Sequence, residues 1–383
     1  MPFYNDLRPE AEIIEKGYAR IFPTPMTVEE KIRAINGILA LKDGLANGKP
    51  DPNGGPDIQA PISPRRTEHN LLISSWNIKE FGHTTQRLPE AYFYIAEIIA
   101  SFDLVALQEI KTSLTDLKIL MRILGSDWDY LVNDITSGNE GNSERSAYVY
   151  NTKRVRLNGT VGELMLWPEI TAGSEITQLA RTPYLTGFRA GWKDFALISL
   201  HLEPGSSESQ KKRRSEEVRL LLRALEEKTK ENWNSRLIVT GDFNFYERHD
   251  AACVQAFEDA GFFEVDGMKG VDTNASKTEI YDRMFIKADK FFRLATQNGK
   301  TVGGVFDPFQ FVYLDGDEAT YRSTMLQQYT GEGDLTVPSK LTSYYKHPWR
   351  KNQVSDHFPI WMELYIDDSA EFLESRKKKH EAD

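Results

Sequence analysis

Short apolar segments alternate with helical patterns along most of this chain. From Leu71 onward, β-rich apolar runs occupy residues 71–78, 102–108, 147–151, 195–201, 236–241, 281–287 and 358–366. Between these runs, apolar residues recur at helical spacing over 88–101, 113–124, 209–230 and 249–260. This alternation predicts an α/β fold in which helices pack outside sheets.

The segment before Leu71 carries a different pattern. Thr27 and Glu30 have the spacing of a capping box. Apolar residues recur there at helical spacing, namely Val28, Ile32, Ile35 and Leu39. The pattern predicts a helix over residues 27–46, and the Gly/Pro-rich segment after it predicts a linker. We therefore expect residues 1–70 to form an N-terminal extension that docks on the main domain or binds a partner protein.

The main domain is predicted to span residues 71–366. It contains a polar and aromatic stretch at about 288–350, which is too long for an ordinary connection and predicts an insertion. Aromatic residues mix with cations near its end, at Tyr344, Tyr345, His347 and Trp349. They can form either a stacking surface for a substrate or the packed base of the insertion. Residues 367–383 are a charged tail that is expected to be frayed.

Composition narrows the class of protein. The 383 residues are 40% apolar and 27% charged, as in soluble globular proteins, and the net charge of −10 argues against a basic protein that coats nucleic acid. The single cysteine, Cys253, excludes an intrachain disulfide and a cysteine-based zinc cluster, and we expect it in the apolar face of a helix. Neither a long apolar run nor a signal-peptide pattern is visible, so we expect no membrane span and a cytoplasmic location.

Polar side chains with metal-binding or proton-handling chemistry adjoin five of the predicted strands. They are Asn77, Glu109, His201, Asp242 with Asn244, and Asp356 with His357. Such groups are costly beside buried strands unless they bind something. Their recurrence in one chain predicts a single pocket at the strand ends, and it indicates a metal-dependent enzyme.

Two of these positions suit a metal and a phosphate. Glu109 offers the hard oxygen ligand that Mg²⁺ or Mn²⁺ prefers, although an acid after a strand can also cap a helix. Asp242 and Asn244 are two residues apart, so in an extended segment they face the same way and can hold a water and a phosphate oxygen. An Asx-turn that closes the strand is the alternative interpretation.

The two histidines predict proton transfer. Histidine suits general acid–base catalysis near neutral pH, and His201 follows a strong apolar strand. Asp356 and His357 are adjacent and face opposite ways, which places one toward a metal or water and the other toward a phosphoryl oxygen. Each histidine needs a carboxylate to orient its ring. Glu144 and Asp282 flank strands and are the candidates.

Eight segments resemble, in order, the signature segments of the endonuclease/exonuclease/phosphatase superfamily, in its deoxyribonuclease I-like branch. They are WNIKEFG, LVALQEI, SERSAYVYN, RTPYLTGF, SLHLEPG, TGDFNF, YDRMFI and SDHFPI, and they cover roughly residues 71–366. The resemblance implies a four-layer α/β/β/α sandwich, with two mixed sheets flanked by helices and the active site at one end.

The resemblance also implies roles for individual residues. Asn77, Glu109 and Asp356 correspond to the metal site, and Asp242 and Asn244 to the catalytic phosphate site. The implied acid–base pairs are His201 with Glu144 and His357 with Asp282. Arg181 corresponds to the arginine that contacts phosphate.

Three departures from the branch concern how DNA is held. Lys111 replaces an arginine and cannot form the same bidentate contact with phosphate. Asn142 replaces an aromatic residue that is inserted into the minor groove, and the loop disulfides are absent. A basic cluster at Lys211–Arg214 predicts either a contact with a nucleic-acid backbone or an ordinary solvated face.

The sequence therefore predicts a Mg²⁺-dependent phosphodiesterase, with Mn²⁺ as a possible substitute, that cleaves DNA as an endonuclease. One alternative keeps the chemistry on another substrate: a phosphatase acting on an inositol lipid, sphingomyelin or a nucleotide. Alternatives of another class are a non-catalytic binding scaffold and an effector controlled by a partner through residues 1–70.

Overall fold

Two mixed six-stranded sheets form the centre of the protein, and helices cover both outer faces. The computed structural model describes residues 1–66, 68–82, 86–134, 144–230, 236–246 and 250–382. The predicted four-layer α/β/β/α sandwich is confirmed. None of the helices within these residues is long and apolar enough to cross a membrane.

The strands follow the predicted runs, with additional strands between them. In chain order they are β1 (Asn70–Phe81), β2 (Leu104–Ile110), β3 (Trp128–Val132), β4 (Arg145–Asn151), β5 (Arg156–Glu163), β6 (Tyr184–Ala190), β7 (Lys193–His201), β8 (Leu237–Asp242), β9 (Phe263–Glu264), β10 (Asp282–Lys287), β11 (Thr296–Gln297), β12 (Lys300–Thr301), β13 (Gly303–Val305) and β14 (Ile360–Tyr365).

The predicted helices are present as well. The α-helices are α1 (Glu10–Lys16), α2 (Val28–Asn47), α3 (Pro89–Ala100), α4 (Thr115–Leu124), α5 (Pro168–Thr171), α6 (Glu208–Lys230), α7 (Ala251–Asp259), α8 (Glu318–Gln328), α9 (Pro338–Tyr344), α10 (Arg350–Gln353) and α11 (Ser369–Ala382). Short 3₁₀ turns lie at Asn5–Leu7, Asp266–Met268 and Pro308–Gln310, and a π-helical turn lies at Tyr345–Trp349. Cys253 is buried in α7, as expected.

Each six-stranded sheet has a parallel pair at its centre. The first sheet has the order β13-β14-β1-β2-β4-β3 and the second the order β5-β6-β7-β8-β10-β9. Strands β1 and β2 run parallel, as do β7 and β8, whereas the other neighbours are antiparallel. The carboxyl ends of a parallel pair lie at the same edge of the sheet. The two central pairs therefore bring Asn77 next to Glu109, and His201 next to Asp242.

Three apolar cores hold the layers together. Alternate residues of β1 point to opposite faces, so Leu71 and Ile73 enter the core between the sheets while Leu72 and Trp76 face the helices. A core on the outer face of the first sheet includes α2, α3 and α4, and one on the second includes α5, α6 and α7.

The N-terminal extension docks on the outer helix α3. The capping box of Thr27 and Glu30 is present at the start of α2, as predicted. Two buried carboxylates of α3 bind cations of α2: Glu90 pairs with Arg33 at 2.6 Å and Glu97 with Lys42 at 3.1 Å. Both ion pairs and apolar contacts therefore dock the extension on the main domain. A protein partner for residues 1–70 stays a prediction.

The face that α2 buries differs from the expected one. Its buried residues are Ala34, Ile38, Leu41, Gly44 and Leu45. The predicted stripe of Val28, Ile32, Ile35 and Leu39 is exposed instead. Small residues explain the choice, since a Cβ at Gly37 or Gly44 would collide with the ring of Tyr94 or Phe311.

The insertion and the tail are both ordered parts of the fold. The stretch at 288–350 adds β13 to the edge of the first sheet and packs Tyr345 and Trp349, fully buried, against the outer core. The aromatic residues before Asp356 are thus mainly a packed base rather than a stacking surface. The tail forms α11 where frayed chain was expected, and Phe372 of this helix packs against Trp192.

Replacing Gly44 with alanine tests the docking of α2. Alanine favours a helix by about 1 kcal/mol over glycine, but its Cβ would collide with Phe311. We expect Gly44→Ala to lower the free energy of unfolding by roughly 1–3 kcal/mol in urea titrations. Asn36→Ala, at an exposed position of the same helix, is the control and should change it by less than about 0.5 kcal/mol. A Gly44→Ala protein as stable as wild type would contradict this packing.

Candidate active site

One buried side-chain amide, that of Asn77, connects the two sheets. Asn77, where the regular pairing of β1 with β2 stops, donates from Nδ2 to Glu109 Oε1 at 2.9 Å and to Asp242 Oδ2 at 3.1 Å. Asn77 is fully buried, and its Oδ1 accepts the Lys79 N–H at 3.1 Å. Both N–H groups of the amide are thus engaged, and they join a carboxylate of the first sheet to one of the second.

His201 lies between two carboxylates. Its Nδ1 is 3.3 Å from Glu144 Oε2, and its Nε2 is 3.5 Å from Asp242 Oδ2. Glu144 also pairs with Arg181 Nε at 3.1 Å and with Lys111 Nζ at 3.4 Å. Burial acts to raise the pKa of Glu144, but the hydrogen bond and charge of His201, with the two cations, lower it to about 2. Glu144 is therefore an anion that orients the His201 ring.

His357 approaches the same Asp242 oxygen from the other side. Its Nδ1 is 2.8 Å from Asp282 Oδ2, and its Nε2 is 3.8 Å from Asp242 Oδ2. Burial acts to lower the pKa of His357, but the charges of Asp282 and Asp242 raise it well above its ordinary value. These carboxylates therefore favour the protonated form of the His357 ring.

Hydrogen bonds to β1 hold the His357 loop in place. Trp76 Nε1 donates to the carbonyl oxygen of His357 at 2.9 Å, and the Ser355 hydroxyl donates to the carbonyl oxygen of Asn77 at 2.7 Å. The Ala275 N–H donates to the carbonyl oxygen of Asp356 at 2.8 Å. The loop that carries Asp356 and His357 is thus positioned by backbone contacts with β1 and with the segment before β10.

Asp242 and Asn244 form a turn as well as a site. The Asn244 N–H donates to Asp242 Oδ1 at 2.9 Å, which is the Asx-turn of the alternative interpretation. Asn244 Nδ2 donates to the Leu202 carbonyl oxygen at 3.1 Å. Because the turn uses only Oδ1, the other oxygen of Asp242 faces both histidines. The Asx-turn is therefore present, and the catalytic role of Asp242 and Asn244 stays a prediction.

Backbone strain is concentrated at this site. Seven described non-glycine residues have a positive φ, and four of them belong here: Lys79, Glu80, Glu109 and Asn244. Left-handed backbone costs an L-residue roughly 1–2 kcal/mol, so the surrounding contacts have to hold it. The Glu80 N–H donates to Glu109 Oε2 at 2.9 Å, and Lys79 Nζ lies 2.8 Å from Asp356 Oδ2. These contacts fix the direction of the Glu109 and Asp356 carboxylates.

The carboxylates offer a place for a divalent cation. One donor atom each from Glu109, Glu144 and His201 lies within 4.8 Å of the others. Carboxylate oxygens and imidazole nitrogen are ligands that divalent cations accept, so the donor set fits such an ion. Of the three residues predicted to bind a metal, Asn77 contacts Glu109, and Asp356 is paired with Lys79. Burial acts to raise the pKa of Asp356, but the charges of His357 and Lys79 outweigh burial, so the pKa is lowered.

Two cations line the His201 side of the site. Arg181 uses Nε for Glu144, and its buried Nη1 has no hydrogen-bond partner within the described part of the chain. Lys111 Nζ is 3.4 Å from Glu80 Oε1 as well as from Glu144. A buried guanidinium nitrogen without a partner is positioned to receive an anionic group. Asn142, at the predicted groove-binding position, lies outside the described residues.

Sequence reasoning missed two residues of α6 that build the site. Glu217 is fully buried and accepts the Ala180 N–H at 2.7 Å and the Glu203 N–H at 2.9 Å. It therefore ties the backbone next to Arg181 to the turn after His201. Arg214 is buried too, and it donates to the carbonyl oxygens of Glu203 and Gly205, both at 2.9 Å.

Arg214 belongs to the basic cluster Lys211–Arg214, for which the sequence left two interpretations: a contact with nucleic acid or a solvated helix face. It also pairs with Asp250 Oδ2 at 2.7 Å, so its role is structural. A basic residue that points inward on an amphipathic helix looks like its solvated neighbours in sequence. The R-x-x-E spacing of Arg214 and Glu217 was the available signal, because residues three apart lie on one face of a helix.

Comparison with known proteins shows which family this chain is similar to. The sequence model described as "Endonuclease/Exonuclease/phosphatase family" matches residues 74–260. The chain is also similar to deoxyribonuclease gamma of Rattus norvegicus, with 24% identity over 326 residues, covering 80% of this chain and 88% of that protein.

Solved structures are similar at lower identity. An endonuclease/exonuclease/phosphatase family protein from Bacteroides thetaiotaomicron has a TM-score of 0.48 at 19% identity, covering 78% of this chain and 98% of its own. The human nocturnin catalytic domain with bound sulfate has a TM-score of 0.48 at 14% identity, covering 78% and 94%. D. rerio TDP2 complexed with a single-strand DNA product has a TM-score of 0.47 at 16% identity, covering 77% and 98%.

The lowered pKa of Glu144 predicts a pH-dependent contribution to stability. A carboxyl group with a folded-state pKa of about 2, against an ordinary 4.5, stabilises the folded protein above pH 4.5, and this stabilisation is lost as the pH falls toward 2. We expect the stability difference between wild type and Glu144→Gln to shrink by roughly 3 kcal/mol over that range. Urea unfolding at a series of pH values measures it. Glu258→Gln, at an exposed position of α7, is the control, and a pH-independent difference for Glu144→Gln would contradict the ion-pair assignment.

The two adjacent glutamates of α6 provide a matched test of the buried one. Glu217→Ala leaves the Ala180 and Glu203 N–H groups without their acceptor, and we expect the free energy of unfolding to fall by roughly 2–4 kcal/mol. Glu216→Ala removes only a surface pair with Arg219 and should cost less than about 1 kcal/mol. Equal effects of the two substitutions in thermal unfolding would rule out the proposed positioning of both loops by Glu217.

Proposed function

We propose that this chain, which is similar to the endonuclease/exonuclease/phosphatase family over residues 74–260 and to a deoxyribonuclease, is a divalent-metal-dependent phosphodiesterase that cleaves DNA as an endonuclease. The observation that carries the proposal is the convergence of His201 and His357 on one oxygen of Asp242, each histidine held by its own carboxylate. Two oriented imidazoles on either side of an acid suit hydrolysis, in which one group accepts a proton from water and another donates one to the leaving oxygen.

The charges around His357 suit it to one role. The neighbouring carboxylates raise the pKa of His357, which favours its protonated form, so it suits donation of a hydrogen bond to a phosphoryl or leaving oxygen. His201 and Asp242 would orient or deprotonate the attacking water, with Glu144 fixing the His201 ring.

The phosphoryl oxygens would be held by polar groups around this centre. Arg181 Nη1 is a buried donor with no partner in the described residues, and Lys111 also pairs with Glu144. The side chain of Asn244, whose Nδ2 donates to the Leu202 carbonyl oxygen, would complete the set. A guanidinium and an ammonium on one side of the phosphate neutralise charge that develops on its oxygens.

Glu109, with Asn77 and Asp356, would hold Mg²⁺ or Mn²⁺. Oxygen ligands in small number suit these ions, and the Glu109 carboxylate is oriented by Asn77 and by the Glu80 N–H. A cation bound there supplies positive charge beside the phosphoryl and leaving oxygens. The adjacent Glu144 and His201 atoms are engaged with each other, which favours Glu109 as the principal ligand.

DNA is the proposed substrate because the curated relative is a deoxyribonuclease and the site presents cations to an anion. The rival substrate, a lipid or nucleotide phosphate, drew support from the aromatic residues before Asp356. Burial of Tyr345 and Trp349 removes that support. A non-catalytic scaffold is disfavoured, because such a protein would not need both histidine–carboxylate pairs in hydrogen-bond distance.

Cleavage of a supercoiled plasmid tests this function. With Mg²⁺, the wild-type protein should nick the plasmid, and EDTA should abolish nicking. Loss of an acid–base group typically costs roughly 10²–10⁴-fold in rate, and we expect His201→Ala and Asp242→Ala to fall in that range while remaining folded by circular dichroism. His347→Ala, an exposed histidine elsewhere in the fold, is the matched control. Nicking by the two site variants at the wild-type rate would refute the assignment.

A further inference from the structure

Two tyrosines adjoin the His357 side of the site and have no part in the chemistry described above. Tyr246 follows Asn244 by two residues, and Tyr281 directly precedes Asp282. The Tyr281 ring lies 5.8 Å from the His357 ring, centroid to centroid, and 5.3 Å from the Tyr246 ring. Both tyrosines are partly exposed. An aromatic surface therefore begins directly beside a catalytic imidazole.

The pair is held rigidly by its neighbours. The rings meet edge to face at 75°. The Tyr246 N–H donates to Asp250 Oδ2 at 2.9 Å, and the Arg214 guanidinium lies 5.2 Å from the centre of the Tyr246 ring. A rigid aromatic surface loses little entropy when a flat group stacks on it.

The site is asymmetric across Asp242. Arg181 and Lys111, which suit phosphate oxygens, lie on the His201 side with Glu144. The His357 side presents the tyrosines instead. If a phosphodiester lies between the histidines, its negative charge would therefore contact the two cations on one side. One of its two flanking nucleosides would lie against the tyrosine rings on the other side.

We propose that Tyr246 and Tyr281 form a stacking subsite for the nucleobase on the His357 side of the scissile phosphate. The subsite rests on the proposed nuclease function and makes it more specific, since it requires a substrate with a base next to the cleaved bond. Every base has a flat aromatic face, so stacking of this kind accepts any sequence. Single-stranded or locally unstacked DNA fits it best, because its bases can leave their neighbours.

Substrates with one cleavable bond test the subsite. The probe is a single-stranded oligonucleotide in which phosphorothioates replace all phosphates except one. It is compared with two versions that carry an abasic residue 5′ or 3′ of that phosphate. KM and kcat are measured with Mg²⁺ for wild type, Tyr281→Ala, Tyr281→Phe and Tyr246→Ala. Tyr365→Ala, a partly exposed tyrosine at the far end of β14, is the control, and thermal unfolding checks that each variant folds.

We expect Tyr281→Ala to raise KM about tenfold, which corresponds to about 1.4 kcal/mol, with little change in kcat. Tyr281→Phe should recover most of the lost affinity because the ring remains. An abasic residue on one side only should raise the wild-type KM similarly, and the same abasic residue should add nothing further in Tyr281→Ala. This lack of additivity is a result that a merely structural role would not produce.

Two results would overturn the subsite. One is an unchanged KM in Tyr281→Ala; the other is a fall in kcat that is equal on intact and abasic substrates, which would mean that the ring only positions His357. A wild-type protein that cleaves none of the oligonucleotides would contradict the proposed nuclease function, and the subsite with it. Cleavage of all substrates with equal KM would contradict the subsite alone.

Discussion

The hydrogen bond from Asn77 to Asp242 is the contact on which the site depends. It joins the central strand of one sheet to a central strand of the other, at the edge where the parallel pairs of both sheets end. Without a donor at that point, the partly buried Glu109 carboxylate would lie close to the buried Asp242 carboxylate, which is unfavourable in a poorly solvated place. The amide offsets this repulsion by donating to the same Asp242 oxygen that both histidines approach.

Charge balance then explains the arrangement around that oxygen. Each additional carboxylate brings a cationic or hydrogen-bonding partner: Glu144 has Arg181 and Lys111, and Asp356 has Lys79. The backbone at Lys79, Glu80, Glu109 and Asn244 has to adopt a strained, left-handed conformation to direct these groups toward one place. The same contacts that offset the charge also hold the strained residues, so stability and preorganisation have a common source.

The strand ends and their polar residues could be predicted from sequence because their signals are local. An apolar run predicts a buried strand, and a carboxylate or histidine at its end is costly unless it is used. Positions set by distant packing could not be predicted. Helix α2 carries two apolar stripes, and the collision that a Cβ would make with Tyr94 or Phe311 decides which one is buried. Arg214 and Glu217 have the sequence character of a solvated helix face, and only the turn after His201 makes them interior residues. The exposed edge strand β5 lacks a buried apolar run, which explains why it was missed.

The buried carboxylates of α3 limit where the chain can be truncated. Glu90 and Glu97 are buried, and their cationic partners, Arg33 and Lys42, both come from residues 1–70. A fragment that begins at β1 would expose apolar surface and leave two interior acids without counter-ions, much as removal of one subunit damages an obligate dimer. Residues 1–70 therefore act like a subunit that happens to be part of the same chain. They supply the cations that balance the buried carboxylates in the helical layer on the first sheet.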